Sequence, residues 1–249
     1  MRNPWLLRFP PRPGARLRLL CLPGAGSAAA MYRSWAGELP DDVEVCAVQL
    51  PGRAGRLRET PFTAMDPLAD ALAEAVVAEL DRPTVVFGHS LGSLVGYEMA
   101  CRLRDAGADG QLRELMVAAH RPPRLGSAGL AYHRLPTEQL MTVMAGLGGT
   151  PAGVLARPDL VRLAEPAMRA DFEVDYTYRH REREPLSLPV SVFGGTGDAT
   201  VCEAELAQWR THTTAEFTLR MLPGDHFFHE GPSRAELLSL IGARLLRHV

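Results

Sequence analysis

The sequence predicts an α/β protein with a mostly parallel central sheet covered by helices. Three observations predict it. Short apolar, β-branched runs alternate with longer amphipathic stretches. One strand-to-helix junction carries Gly88-His89-Ser90-Leu91-Gly92. The alternation is interrupted once, over residues 125–184, by helical patterns without a good strand.

Strand candidates are residues 17–22, 43–48, 84–87, 115–119, 190–193 and 216–221. Helix candidates lie between them, at 31–39, 65–80, 91–106, 203–212 and 234–247. In the second of these, Asp66 reads as the cap, with Leu68, Leu72, Ala75, Val76 and Leu80 on one face. In the interruption, Thr137 reads as capping a helix whose apolar side is Leu140, Met141, Val143, Met144 and Leu147. A second pattern runs through Leu160, Leu163, Ala164, Met168 and Phe172. The expected organisation is one domain over residues 1–249, with residues 125–184 inserted as a helical lid. Methionines suit a deformable apolar cover, and long insertions tend to be functional. The alternative is a set of helices that only thickens the core.

Composition narrows the function classes. The chain has 249 residues, 46% of them hydrophobic, enough for a sizeable buried core. Net charge is −2, so no overall field draws it to nucleic acid or an anionic membrane. All 27 basic residues are arginine, which excludes a Schiff-base lysine. Cys21, Cys46, Cys101 and Cys202 are far apart and form no C-x-x-C pair, so buried free thiols in a reducing cytosol are expected. The opening "MRNPWLLRFPPRPGARLRLL" lacks the uninterrupted apolar core of a signal peptide. Its short Pro/Arg-rich start is the one stretch that reads as disordered. No run reaches the length of a membrane span. A soluble, cytoplasmic, monomeric protein is the expectation.

The pentapeptide raises a chemical question, because G-x-S-x-G alone can be a turn with a serine in it. Context answers it. Thr84-Val85-Val86-Phe87 enters as a strand, and Leu94, Val95, Met99 and Leu103 mark a helix leaving, the setting of a nucleophile elbow. Glycines 88 and 92 leave room where side chains would collide with the turn. A serine hydroxyl needs a base. His226, in "MLPGDHFFHEGP" after the last predicted strand, is the best placed of eight histidines. "HFFHE" matches neither H-E-x-x-H nor H-x-x-E-H, so no metal site is expected. Phe227 and Phe228 read as anchors of the loop and His229 as structural. His89 should point away from Ser90.

Asp198, on "GGTGDATV" just past the strand at 190–193, is the expected carboxylate partner of His226. Asp225 is a weaker choice, because neighbouring side chains diverge. The order Ser90, Asp198, His226 is that of the α/β-hydrolase fold. An oxyanion hole needs two backbone N–H donors. Leu91, following the nucleophile, is one, and Ala25, in the loop Pro23-Gly24-Ala25-Gly26 after the first predicted strand, is the other. That same loop matches G-x-G-x-x-A, a possible dinucleotide fingerprint. An oxidoreductase reading nonetheless lacks an acidic residue where the next strand ends in Gln49-Leu50-Pro51, and no Tyr-x-x-x-Lys pair is possible.

With these pieces placed, the chain resembles the type II thioesterases of polyketide and nonribosomal peptide biosynthesis. The blocks "LLCLPGAGSAAAMYRSW", "VQLPGRAGRLRETPF", "VVFGHSLGSLVGYEMA", "PVSVFGGTGDATV", "LAQWRTHT" and "LPGDHFFHEG" carry the resemblance nearly end to end. The family's first loop usually reads F-P-H-A-G-G; here Gly24 replaces that histidine and Ser27 the second glycine. In many synthase-terminal thioesterase domains the acid follows the strand after the nucleophile helix. Here that position runs into His120-Arg121-Pro122-Pro123, which points to Asp198 and the free-standing type. The start at Met1, with no attached carrier domain, agrees.

The resemblance implies hydrolysis of acyl groups from the phosphopantetheine arm of carrier proteins, editing aberrant or stalled chains, with no cofactor of the enzyme's own. Carrier proteins are usually acidic, so Arg53, Arg56 and Arg58, and Arg121 and Arg124, are candidate docking residues. The alternatives are an acyltransferase or cyclase using the same three residues, and a non-catalytic hydrolase-fold scaffold. The latter has no need of an intact Ser90, Asp198 and His226.

Overall fold

The computed structural model describes residues 3–127, 130–147 and 157–249. Among them, seven strands form one sheet: β1 (Leu6–Arg8), β2 (Leu17–Leu22), β3 (Val43–Val48), β4 (Thr84–His89), β5 (Leu112–Ala118), β6 (Val190–Gly195) and β7 (Phe217–Leu222). Their order across the sheet is β1-β3-β2-β4-β5-β6-β7, all parallel except β1, which runs antiparallel to β3. Strands β2, β3, β4 and β6 are buried along their whole length, which is why they read as continuous apolar runs rather than alternating ones.

Helices α1 (Met65–Val77) and α2 (Leu91–Asp105) pack on each other and on one sheet face. Leu68, Leu72 and Val76 of α1 join Leu94, Val95, Tyr97 and Met99 of α2 in the larger core cluster. Each buried leucine there is worth roughly 2 kcal/mol of transfer free energy. The opposite face is covered by a 3₁₀ segment, Ala29–Gly37, and by the C-terminal helix, Arg234–Leu245, around Tyr32, Trp35, Phe87 and Ile241. Between β5 and β6 lie α3 (Thr137–Leu147) and α4 (Pro158–Thr177). Leu140, Met144 and Met168 form a small apolar core between them, packed by Tyr132, Met141, Leu147 and Phe172.

Several expectations need correction. The Pro/Arg-rich start is ordered from residue 3. Leu6 and Phe9 are buried, and β1 pairs with β3 at the sheet edge. The helix expected over 31–39 is instead a 3₁₀ segment, Ala29–Gly37. Only Glu203–Leu206 of 203–212 is α-helix (α5), the remainder continuing as 3₁₀. The strand at 115–119 begins three residues earlier and ends at Ala118. Ala64 occupies the N-cap of α1; Asp66 lies in the first turn and pairs with Arg102 and Arg181. Thr137 is the first residue of α3 itself, and its hydroxyl donates to Glu165 of α4. Leu160 and Leu163 are exposed, Leu163 by 51%, while Val161, Met168, Asp171 and Val174 form the buried face of α4. Cys21, Cys46 and Cys101 are buried free thiols, whereas Cys202 is exposed. No helix among the described residues is long and apolar enough to cross a membrane.

Candidate active site

The chain runs outward from β2 to β3 and then returns to the other side of β2 with β4. Such a reversal opens a crevice at the carboxyl ends of the two central strands. The loop after β2 carries Ala25 and the turn after β4 carries Ser90, so the sheet topology alone brings both to one place.

Ser90 sits at the N-cap of α2 with φ 51° and ψ −127°, a strained conformation for a non-glycine residue. The flanking glycines make that turn possible. A Cβ on Gly88 would lie 2.3 Å from the Gly92 carbonyl oxygen, and one on Gly92 would lie 2.2 Å from that of Leu22. Backbone atoms cannot yield like the tip of a side chain. Gly92→Ala is therefore expected to destabilise the fold by about 3 kcal/mol or more, as a lowered urea midpoint.

Three side chains from three strand ends form one hydrogen-bonded series. His226 Nε2 lies 3.0 Å from Ser90 Oγ, and His226 Nδ1 lies 2.9 Å from Asp198 Oδ2. An ionised carboxylate only accepts, so Nδ1 carries the proton and the Nε2 lone pair faces Ser90. Burial pushes the Asp198 carboxyl up. The hydrogen bond and charge of His226, together with the Thr200 hydroxyl and N–H, outweigh burial and hold it below its ordinary value. The Thr200 hydroxyl donates to Asp198 Oδ1 at 2.7 Å and stands 3.0 Å from His226 Nδ1. Asp225 is exposed and accepts the Phe227 N–H, leaving Asp198 as the partner of His226.

The oxyanion positions adjoin. A Cβ on Gly24 would lie 3.2 Å from Ser90 Cβ, so the residue before Ala25 abuts the serine. Leu91 opens α2, where the first N–H groups have no intrahelical acceptor and the helix dipole favours negative charge. The neighbouring Gly26 N–H is bonded to the Asp171 carboxylate at 2.8 Å. That carboxylate, itself paired with Arg53, already takes the loop N–H that a pyrophosphate would need, which argues against a dinucleotide cradle.

A cavity of about 200 Å³ opens onto Ser90 and His226. Leu130, Tyr132, Leu147 and Phe172 from the helical segment supply its apolar wall, and His120, Arg121 and Asp175 its polar one. Asp175 accepts from His120 Nε2 at 3.0 Å. A larger groove of about 520 Å³ runs past Arg124, Tyr176, Arg179 and His180; the Ser90–His226–Asp198 series opens into the smaller cavity, which is where the chemistry is placed.

His89 points away from Ser90, fully buried. Its Nε2 donates to the His226 carbonyl oxygen at 2.8 Å, and its ring lies 4.0 Å from that of His229. Phe228 is buried beneath the loop, and Phe227 packs on His89 and His226. Burial holds His89 well below its ordinary value, pushes His229 down to about 3 and His212 down to about 4. Unfolded, all three take up protons near pH 6.5; folded, His212 resists until about pH 4 and His229 until about pH 3, and burial holds His89 well below its ordinary value. Between these limits the unfolded state binds about three more protons, so stability falls as pH falls through that window. Urea midpoints at pH 7 and pH 5 measure it, and the loss should shrink by about a third in His212→Phe.

The candidate docking arginines divide. Arg53 and Arg56 are 7% and 8% exposed and unavailable to a partner. Arg53 is paired with Asp171. Arg56 stacks on Trp5, its guanidinium 4.1 Å from the ring centre, while pairing with Glu59. Arg121 is half-buried and pairs with Glu205; Arg124 is exposed and pairs with Glu182, and Arg58 is exposed. Sequence reading missed Thr200, Asp171 and Asp175. A carboxylate at 171 on the apolar stripe of Met168 and Val174 was the available signal.

Sheet order, serine turn and the Ser90–His226–Asp198 series together define an α/β hydrolase. The thioesterase domain family model matches residues 17–245, and the chain belongs to that family. It is 35% identical to the gramicidin S biosynthesis protein GrsT of Aneurinibacillus migulanus, over 91% of this chain and 88% of GrsT. RedJ, the thioesterase of the prodiginine biosynthetic pathway in Streptomyces coelicolor, superposes with a TM-score of 0.88 at 39% identity, covering 93% of this chain and 91% of RedJ. The type II thioesterase BorB from the borrelidin biosynthetic cluster gives 0.89 at 35% identity, over 97% of each chain.

Proposed function

We propose that the chain is a type II editing thioesterase that hydrolyses acyl groups from the phosphopantetheine arm of carrier proteins on a polyketide or nonribosomal peptide synthase. The observation that carries this reading is the Ser90–His226–Asp198 series, set on a strained turn and opening into a partly apolar cavity. The thioesterase relatives supply the substrate class.

Ser90 Oγ attacks the thioester carbonyl as its proton passes to His226 Nε2. The Ala25 and Leu91 N–H groups receive the developing oxyanion. The pantetheine thiol leaves with the proton from His226. Water, deprotonated by the same nitrogen, then attacks the acyl-serine and releases the acid. Asp198 holds the tautomer and stabilises the imidazolium. The helical segment between β5 and β6 acts as the lid, its Leu130, Tyr132, Leu147 and Phe172 receiving the acyl chain. Docking falls to the exposed charge of Arg58 and Arg124 and to the half-buried Arg121 rather than to Arg53 and Arg56.

The test is turnover of acyl-loaded carrier proteins in ¹⁸O-labelled water. Free acid carrying one ¹⁸O supports hydrolysis. An ester, amide or lactone product instead assigns acyl transfer or cyclisation to the same residues.

A further inference from the structure

Helix α4 meets the loop after β2 through two side chains about one turn apart. Asp171, 3% exposed, accepts the Gly26 N–H at Oδ2, 2.8 Å away. Its two oxygens also take Arg53 in a fork, Nη1 on Oδ2 at 2.5 Å and Nη2 on Oδ1 at 2.7 Å. Arg53 Nη1 reaches on to the Ser27 carbonyl oxygen at 3.1 Å. Met168 packs over the same spot: a Cβ on Gly26, whose φ is +72°, would lie 3.2 Å from two of its side-chain atoms.

These contacts surround Ala25. The peptide plane that carries the Ala25 N–H is tied at its other end, because the Gly24 carbonyl oxygen accepts the Ser27 N–H at 3.1 Å. Ser27 is in turn held by Arg53. The next plane along, which carries the Gly26 N–H, is held by Asp171. Both planes flanking the Ala25 Cα are therefore fixed by one buried ion pair joining the loop after β3 to the lid helix.

We infer that Arg53 and Asp171 are positioning residues for the oxyanion hole: the seat of the lid helix is also what aims the Ala25 N–H. This rests on the proposed role of Ala25 and goes beyond it, because it makes the stabilisation of the transition state depend on where α4 sits. The Asp171 carboxylate touches no substrate; it acts through the Gly26 N–H and through Arg53.

Removing one partner alone leaves a buried charge unpaired and threatens the fold, so the test replaces the pair. In R53M/D171L the charges and the acceptor are both gone. In R53M/D171N the charges are gone, but the amide oxygen still accepts the Gly26 N–H. Each is measured with an acyl-pantetheine thioester, and with a trifluoromethyl ketone analogue that forms a tetrahedral adduct on Ser90. R53M/D171L should lose about 10- to 100-fold in kcat, a fraction of what deleting an oxyanion donor costs. Its KM should stay within about twofold, and its affinity for the ketone should fall in step with kcat. R53M/D171N should recover about tenfold of that loss. Wild-type kcat in R53M/D171L, a loss carried by KM, or equal impairment of the two variants overturns the inference. Undiminished turnover by Ser90→Ala would instead overturn the underlying functional reading, a separable result.

Discussion

Ser90→Ala is expected to lower acyl release by about 10⁴-fold or more while leaving the protein folded. The serine hydroxyl is the group aligned with a lone pair of His226, at 3.0 Å. Alanine keeps the Cβ and the backbone at φ 51°, so the turn, the glycine contacts and the adjoining N–H groups survive. What remains is attack by water, helped by the oxyanion donors alone. Stability should be unchanged or slightly higher, because a polar group in a strained site is lost without a cavity being opened. Equal urea midpoints beside a collapsed kcat separate this result from misfolding.

Asp198→Asn is the second large effect, about 10³-fold in kcat. An asparagine can turn its amide N–H toward His226 Nδ1, which moves the ring proton to Nε2 and leaves no lone pair for Ser90. Thr200 moderates the loss. Its hydroxyl, 3.0 Å from Nδ1, can still accept the ring N–H and hold the productive tautomer in part of the molecules. Asp198→Asn combined with Thr200→Val should therefore fall about a further tenfold. Thr200→Val alone, with the carboxylate intact, should lose much less. The pair also sets an acid limit. The folded Asp198 carboxyl lies below its ordinary value, so the stability it contributes is present above about pH 4 and is lost as pH falls through the folded value. Asp198→Asn should flatten that part of the stability profile.

The parts of this arrangement that were legible in the sequence are those where local chemistry and topology coincide. Buried parallel strands such as β3 and β4 are short apolar runs, and Ser90, Asp198 and His226 each follow one. Features set by distant partners were not legible. Strand β1 is three residues beside prolines and exists because β3 offers it an edge. Arg53 and Arg56 read as surface charge, yet Asp171 lies 118 positions from Arg53, and the ring of Trp5 receives Arg56. Periodicity placed Leu160 and Leu163 on the inner face of α4, whereas the helix is turned so that Asp171 reaches the loop after β2. The buried face combines Val161, Ala167, Met168, Ala170 and Val174 with the charged Asp171, whose partner Arg53 is distant in sequence.

A single-turnover measurement tests the serine mechanism most directly. A carrier protein loaded with one acyl group is mixed with excess wild-type protein or with Ser90→Ala, and the intact mass of the carrier is followed over time. The wild type is expected to return the carrier to its free-thiol mass, while the carrier stays loaded with Ser90→Ala. Equal release by the two proteins, or none by the wild type with any acyl group offered, would contradict it.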